Sequence, residues 1–309
     1  MDHFADRLTA AVRCKGNALC LGLDPRWDQL PQSIRRRHGD GTLAAMARAY
    51  EEFGARVIDV AAPLVAVVKP QMAFFEACGP AGLVALQRVM ERSRRYGLIS
   101  ILDGKRNDIA STAAAYADAA FGGVGLAGRC HAVWDADALT VNPYLGREAI
   151  EPFLTSARAA GRGLFVLVRT SNPGAGQFQD LMCAGRPLYL HVAAAVAAWG
   201  RENLGRCGLA DVGAVVGATH PAELAAVRQA IPEAWLLVPG FGAQGGAAAD
   251  VAAAFRTDGL GAVVNSSRDL IFPYHPDESN WEACIEAAIR ASISDLAAHT
   301  PMHRLAGLS

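Results

Sequence analysis

The segment Asp103-Gly104-Lys105-Arg106-Asn107-Asp108 places two carboxylates around a lysine, directly after the apolar run 99–102. Side chains two apart on an extended chain point to the same side, so Asp103 and Lys105 are expected to share a face. Lys69 ends a second apolar run, 65–69. If it faces the same mouth, a Lys-Asp-Lys array forms that holds ammonium protons close to carboxylates in a shielded site, a setting for acid–base chemistry. The competing reading is a surface salt-bridge cluster, and the position of the motif at the end of an apolar run counts against it.

A second element is suited to an anion. PGFGAQGG, residues 239–246, follows an apolar run, and NSSR, residues 265–268, follows the next one. Glycine-rich backbone after a strand lets N–H groups approach a phosphate closely, and Arg268 adds a fork of donors. Tight turns alone would also explain the glycines. Gly240, Gly242 and Gly245 spell G-x-G-x-x-G, but the acid of a dinucleotide fingerprint is missing from the end of the next strand, where Asn265 and Ser266 stand.

These residues need elements to carry them. Eight apolar, β-rich runs recur at 18–24, 65–69, 98–105, 138–143, 163–170, 212–219, 235–240 and 261–266. Each is continuous rather than alternating, as in parallel strands covered on both faces. Ala-rich segments between them, such as 42–61 and 82–97, carry apolar residues at three- and four-residue steps and predict helices. A mean spacing of about 35 residues suits βαβ units, and eight of them fit a single-domain (β/α)8 barrel, with a doubly wound open sheet as the alternative. Barrel active sites lie at the carboxyl ends of the strands, where Asp24, Lys69, Asp103, Lys105, Asn142, Ser171, Thr219 and Arg268 gather. The polar stretch 35–41 is expected to be a loop and 299–309 a loose tail; neither divides the chain.

Composition narrows the class. The 309 residues are 52% hydrophobic and 19% charged, with a net charge of -1, which predicts a globular chain without a nucleic-acid or membrane surface as its main partner. A small anionic ligand needs only one or two local cations. Seven Cys at irregular spacing, with no C-x-x-C pair, suggest reduced, buried thiols in a cytoplasmic protein; Cys14 and Cys20 are read that way rather than as nucleophiles. Neither a signal peptide nor a membrane span is expected. The eight His show no metal-ligand spacing, and His220 and His275 are read as structural or surface residues. Met72 and Phe74 are expected to pack after the second strand.

Taken in order, LGLDPR, VVKPQMAFFE, LDGKRND with IAST, TVNPYLG, TSNPG, PGFGAQGG and NSSR resemble the motifs of orotidine 5'-phosphate decarboxylases, most closely their longer bacterial branch, from about residue 21 to 272. The resemblance implies decarboxylation of orotidine 5'-monophosphate to uridine 5'-monophosphate and CO2, the last step of de novo UMP synthesis, with no metal or other cofactor. It assigns Lys69, Asp103, Lys105 and Asp108 to a charged tetrad. Asp108, with Ile109 and Thr112, would come from the partner of a homodimer whose active sites are shared. Asp24 would bind a ribose hydroxyl, Ser171 the pyrimidine, and Pro239, Gln244, Ser267 and Arg268 the phosphate end. Lys105 would stabilise the carbanion at C6 and protonate it, beside an Asp103 placed against the leaving carboxylate. Gly104, Asn107 and Ala110 depart from the pattern, where Ala, Gly and Gly are expected, and Gly104 could loosen the strand end. Three rivals remain. A Mg-dependent sugar-phosphate decarboxylase or synthase should carry a carboxylate where Lys69 stands. A Schiff-base aldolase would use Lys105 or Lys69 covalently. A non-catalytic phosphate-binding barrel has no use for the tetrad.

Overall fold

Continuous apolar runs bounded by polar residues become strands when both faces are covered, and all eight do so here. The computed structural model describes residues 2–242 and 245–305. Its barrel strands are β1 (Leu19–Leu23), β2 (Val67–Pro70), β3 (Ile99–Arg106), β4 (Ala138–Val141), β5 (Gly163–Arg169), β6 (Val212–Val216), β7 (Leu236–Pro239) and β8 (Ala262–Ser266). They form one closed barrel in sequence order, every neighbouring pair parallel, with β1 paired to both β2 and β8. Closure, which periodicity could not decide, excludes the open sheet.

Helices cover the outside. Helix Leu43–Ala61 begins where Thr42 caps it, its hydroxyl accepting the Ala45 N–H at 3.1 Å, and its buried face carries Tyr50, Phe53, Val57 and Ile58. Below the barrel, helix Phe4–Lys15 presses Phe4 edge-on against Phe165, with ring centroids 6.2 Å apart, and closes the amino-terminal end. At the amino-terminal ends of β7 and β8, Arg228 is buried with its guanidinium donating to the carbonyls of Ile231, Ala234, Ala254 and Gly261, which ties these strand ends together. No helix is long and apolar enough to cross a membrane among the described residues.

Two sequence expectations are corrected. Most of the supposed loop 35–41 belongs to helix Gln32–His38, whose Arg36 and Arg37 face solvent while Ile34 is buried. The supposed loose tail is packed as far as Leu305. Helix Trp281–His299 continues into a 3-10 turn, Pro301–Leu305, whose Met302 and Leu305 are buried; the Ala18 N–H donates to the Met302 sulfur at 3.2 Å. Polarity in sequence hid the apolar anchors that hold each segment, Ile34 in the first and Met302 and Leu305 in the second. Residues 306–309 lie outside the described residues.

Candidate active site

Because the strands are parallel, their carboxyl ends share one mouth, and a cavity of about 320 Å³ opens there. Lys69, Asp103 and Lys105 line it from β2 and β3. Asp103 is buried and accepts four hydrogen bonds: Lys69 Nζ at 2.7 Å and Gln71 Nε2 at 2.9 Å on one oxygen, Lys105 Nζ at 2.7 Å and Thr140 Oγ1 at 2.8 Å on the other. Burial pushes the Asp103 carboxyl up, but Lys69 and Lys105, with their hydrogen bonds, outweigh it and hold it well below the usual carboxylate range. Burial likewise pulls Lys69 down, while Asp103 first and Asp24 second more than reverse this and raise it above the ordinary lysine range. Gln71 and Thr140 were missed in sequence. Gln71 is two residues beyond Lys69 and so on the same face, and Thr140 is a lone hydroxyl inside an apolar strand; both were readable signals.

Asp103 and Lys105 do converge, though not by plain strand alternation. Between Leu102 and Arg106 the β3–β4 register shifts, and Lys105 lies at φ +44°, a left-handed conformation rare for a non-glycine residue. This bulge re-aims the lysine toward the cavity. Space does not require a glycine at Gly104: an added Cβ there would meet its nearest neighbour at 3.5 Å, an ordinary contact. Ala110 is the strained departure, at φ +47°, where a glycine would fit freely.

The shifted titrations set a pH window. A depressed Asp103 contributes stability that is present above the ordinary aspartate value of about 3.9 and is lost as pH falls below it toward the folded value. A raised Lys69 contributes stability present in full below about 10.4 and lost as pH rises through its folded value. The melting-temperature gap between the wild type and Asp103→Asn is therefore expected to be widest between about pH 4 and 10 and to narrow on acidification. A gap that does not change with pH would count against the ion pair.

Asp24, just beyond β1, also lines the cavity, and its Oδ1 is buried without a hydrogen-bond partner among the described residues. Gly22 makes room beside it, since a Cβ there would lie 1.9 Å from Ser267 Oγ. Ser171, Pro239, Ser267 and Arg268 line the same cavity. Gly240 and Gly242 turn with φ +99° and +83°, and the Gly246 N–H closes the loop onto the Gly240 carbonyl at 3.1 Å. A Cβ on Gly242 would meet Asp269 at 2.1 Å, so this glycine is required by space as well as by φ. Gln244 lies outside the described residues. Sequence reasoning also missed Arg26, which lines the cavity with its guanidinium 5.6 Å from the centroid of Phe74, and Arg169. Buried at the end of β5, Arg169 pairs with Glu223 and donates to Gln179, which in turn accepts the Thr170 N–H at 2.9 Å and so fixes the segment that leads to Ser171.

Three expected site residues do not join the cavity within one chain. The Asp108 carboxylate accepts its neighbour Ile109 N–H at 2.8 Å and makes no ion pair among the described residues. Ile109 and Thr112 are exposed on the rim. The cysteine expectation holds for Cys20, which is buried with its thiol pushed up to about 12 by desolvation. It fails for Cys14, Cys130 and Cys183, which are exposed; all seven are unpaired. His275 is a surface residue beside Asp277, and Met72 is buried as expected.

Fold and mouth together define a (β/α)8-barrel enzyme. Residues 17–278 match the Orotidine 5'-phosphate decarboxylase / HUMPS family, and the chain belongs to that family. It is 49% identical over 295 residues to the orotidine 5'-phosphate decarboxylase of Rhodopirellula baltica, covering 93% of this chain and 97% of that one. It is 38% identical over 305 residues to the enzyme of the same name from Caldicellulosiruptor bescii, covering 95% and 100%. The structure of Leishmania donovani OMP decarboxylase superposes with a TM-score of 0.74 at 34% identity, covering 96% of this chain and 98% of that one.

Proposed function

We propose that this chain is a carboxy-lyase that converts orotidine 5'-monophosphate to uridine 5'-monophosphate and CO2, the closing step of de novo UMP synthesis. The observation that carries the reading is Asp103 held between two ammonium groups at the wall of a closed-sided cavity. The two lysines differ in access. The Lys69 side chain is 5% exposed and that of Lys105 is 46% exposed, so Lys69 holds Asp103 in place while Lys105 is reachable by a substrate and by water.

When the C6–carboxylate bond breaks, its electron pair stays on C6. The Lys105 ammonium stabilises that charge, gives C6 a proton and is reprotonated from solvent. Asp103 sits where the substrate carboxylate would be crowded by like charge. Asp24 takes a ribose hydroxyl, Ser171 the pyrimidine, and Pro239, Ser267 and Arg268 the phosphate end, with Gln244 assigned there by its place in the motif. Binding energy from the distant phosphate then acts at the reacting carbon. A Mg-dependent reading fits the donors poorly, because ammonium groups already occupy both oxygens of Asp103 and would repel a divalent cation.

The rim positions of Asp108, Ile109 and Thr112 support a homodimer in which each protomer completes its partner's site. Lys105→Ala and Asp108→Ala proteins are each expected to be nearly inactive. Mixed dimers carry one intact site of two, so an equal mixture should recover about a quarter of wild-type activity. No recovery from verified mixed dimers would exclude sharing. Seven unpaired thiols suit a cytoplasmic location.

The deciding experiment is loss of the orotate-type absorbance from orotidine 5'-monophosphate with EDTA present and nothing else added. Turnover supports both the reaction and its independence from metal. A folded, inactive protein moves the reading to the Mg-dependent sugar-phosphate chemistry.

A further inference from the structure

We propose that Thr140 is a positioning residue for this decarboxylation, locking the backbone of Lys105 to the carboxylate of Asp103 through one hydroxyl. The inference rests on the reaction proposed above. Thr140 lies in β4 and is 1% exposed. Its Oγ1 accepts the Lys105 N–H at 2.9 Å and donates to Asp103 Oδ1 at 2.8 Å.

The directions of these bonds are forced. An ionised carboxylate can only accept, so the single hydroxyl proton goes to Asp103. The backbone N–H can only donate, so it takes a lone pair of the same oxygen. Each bond orients the hydroxyl for the other. Losing the hydroxyl would therefore release both groups at once.

The need for such a device comes from the bulge. Where β3 leaves register with β4 between Leu102 and Arg106, the ladder gives the Lys105 N–H no carbonyl, and the Thr140 hydroxyl takes that role. At the same residue the chain is held at φ +44°, which a lysine adopts only when its surroundings impose it. The Lys105 side chain starts from this constrained backbone and meets Asp103 Oδ1, the oxygen that Thr140 also holds. Asp103 Oδ2 is fixed separately by Lys69 and Gln71, so among the described residues Thr140 is the side chain whose hydrogen bonds tie the proton donor's backbone to the carboxylate it must face.

The test compares Thr140→Val, which keeps the shape and removes the hydroxyl, with Thr140→Ser, which keeps the hydroxyl. With orotidine 5'-monophosphate as substrate, Thr140→Val is expected to lose about 100-fold in kcat, with KM within about twofold, because a misplaced reacting group costs rate rather than affinity. Thr140→Ser should remain within about fivefold of the wild type. A Thr140→Val protein with near-normal kcat, or a Thr140→Ser protein as impaired as Thr140→Val, overturns the proposal, the second outcome assigning the loss to methyl packing. Should Thr140→Val fail to fold, Thr140→Ala against Thr140→Ser gives the same comparison. A wild type without turnover overturns the reaction and this role together, whereas an active wild type with an unimpaired valine variant overturns this role alone.

Discussion

Lys105→Ala is expected to lose about 10⁴-fold or more in kcat while the barrel remains folded. General-acid catalysis by a placed group contributes about 10²–10⁴-fold, and electrostatic stabilisation of developing charge by one placed donor about 10²–10³-fold; the Lys105 ammonium supplies both. The fold should survive because the lysine side chain is half exposed and its removal leaves Asp103 with Lys69, Gln71 and Thr140. Alanine is also no worse than lysine at φ +44°. Lys105→Gly makes a useful control, since it relieves the backbone and should still be inactive. Turnover by absorbance and melting by circular dichroism check the two halves, and near-normal turnover would remove Lys105 from the chemistry.

Asp103→Ala should cost both activity and stability. It strands Lys69, a nearly sealed ammonium, with no carboxylate in direct contact. Removing one partner of a buried pair typically costs about 3–5 kcal/mol, because the remaining charge stays desolvated. For a chain of this size that corresponds to a fall in melting temperature of about 5–8 °C. The double variant Asp103→Ala/Lys69→Met removes the stranded charge and is expected to regain most of the stability and none of the turnover. An unchanged melting temperature in Asp103→Ala would mean that Lys69 finds another partner or water, and the account of Asp103 as the hub of the site would fail.

How much of this was legible in the chain depends on the range of the interactions involved. Strand placement was readable to within one to three residues at each end, because a strand buried on both faces must be apolar along its whole length. Lys69, Asp103 and Lys105 were readable because charge at the end of such a run has few places to go except the mouth. Gln71 and Thr140 were visible in principle, by alternation and by a hydroxyl among apolar residues, but only four donors meeting on one carboxylate gave them meaning.

By itself, then, the sequence determined the repeating strand–helix pattern, the polar end of each strand and the charged motif, all of which are local consequences of burial and periodicity. The tertiary structure alone decided that the sheet closes, that β3 bulges at Lys105 and that the residues after His299 pack beneath β1. Each of these depends on contacts between residues far apart in the chain, and no local pattern encodes the register or the direction in which distant segments meet.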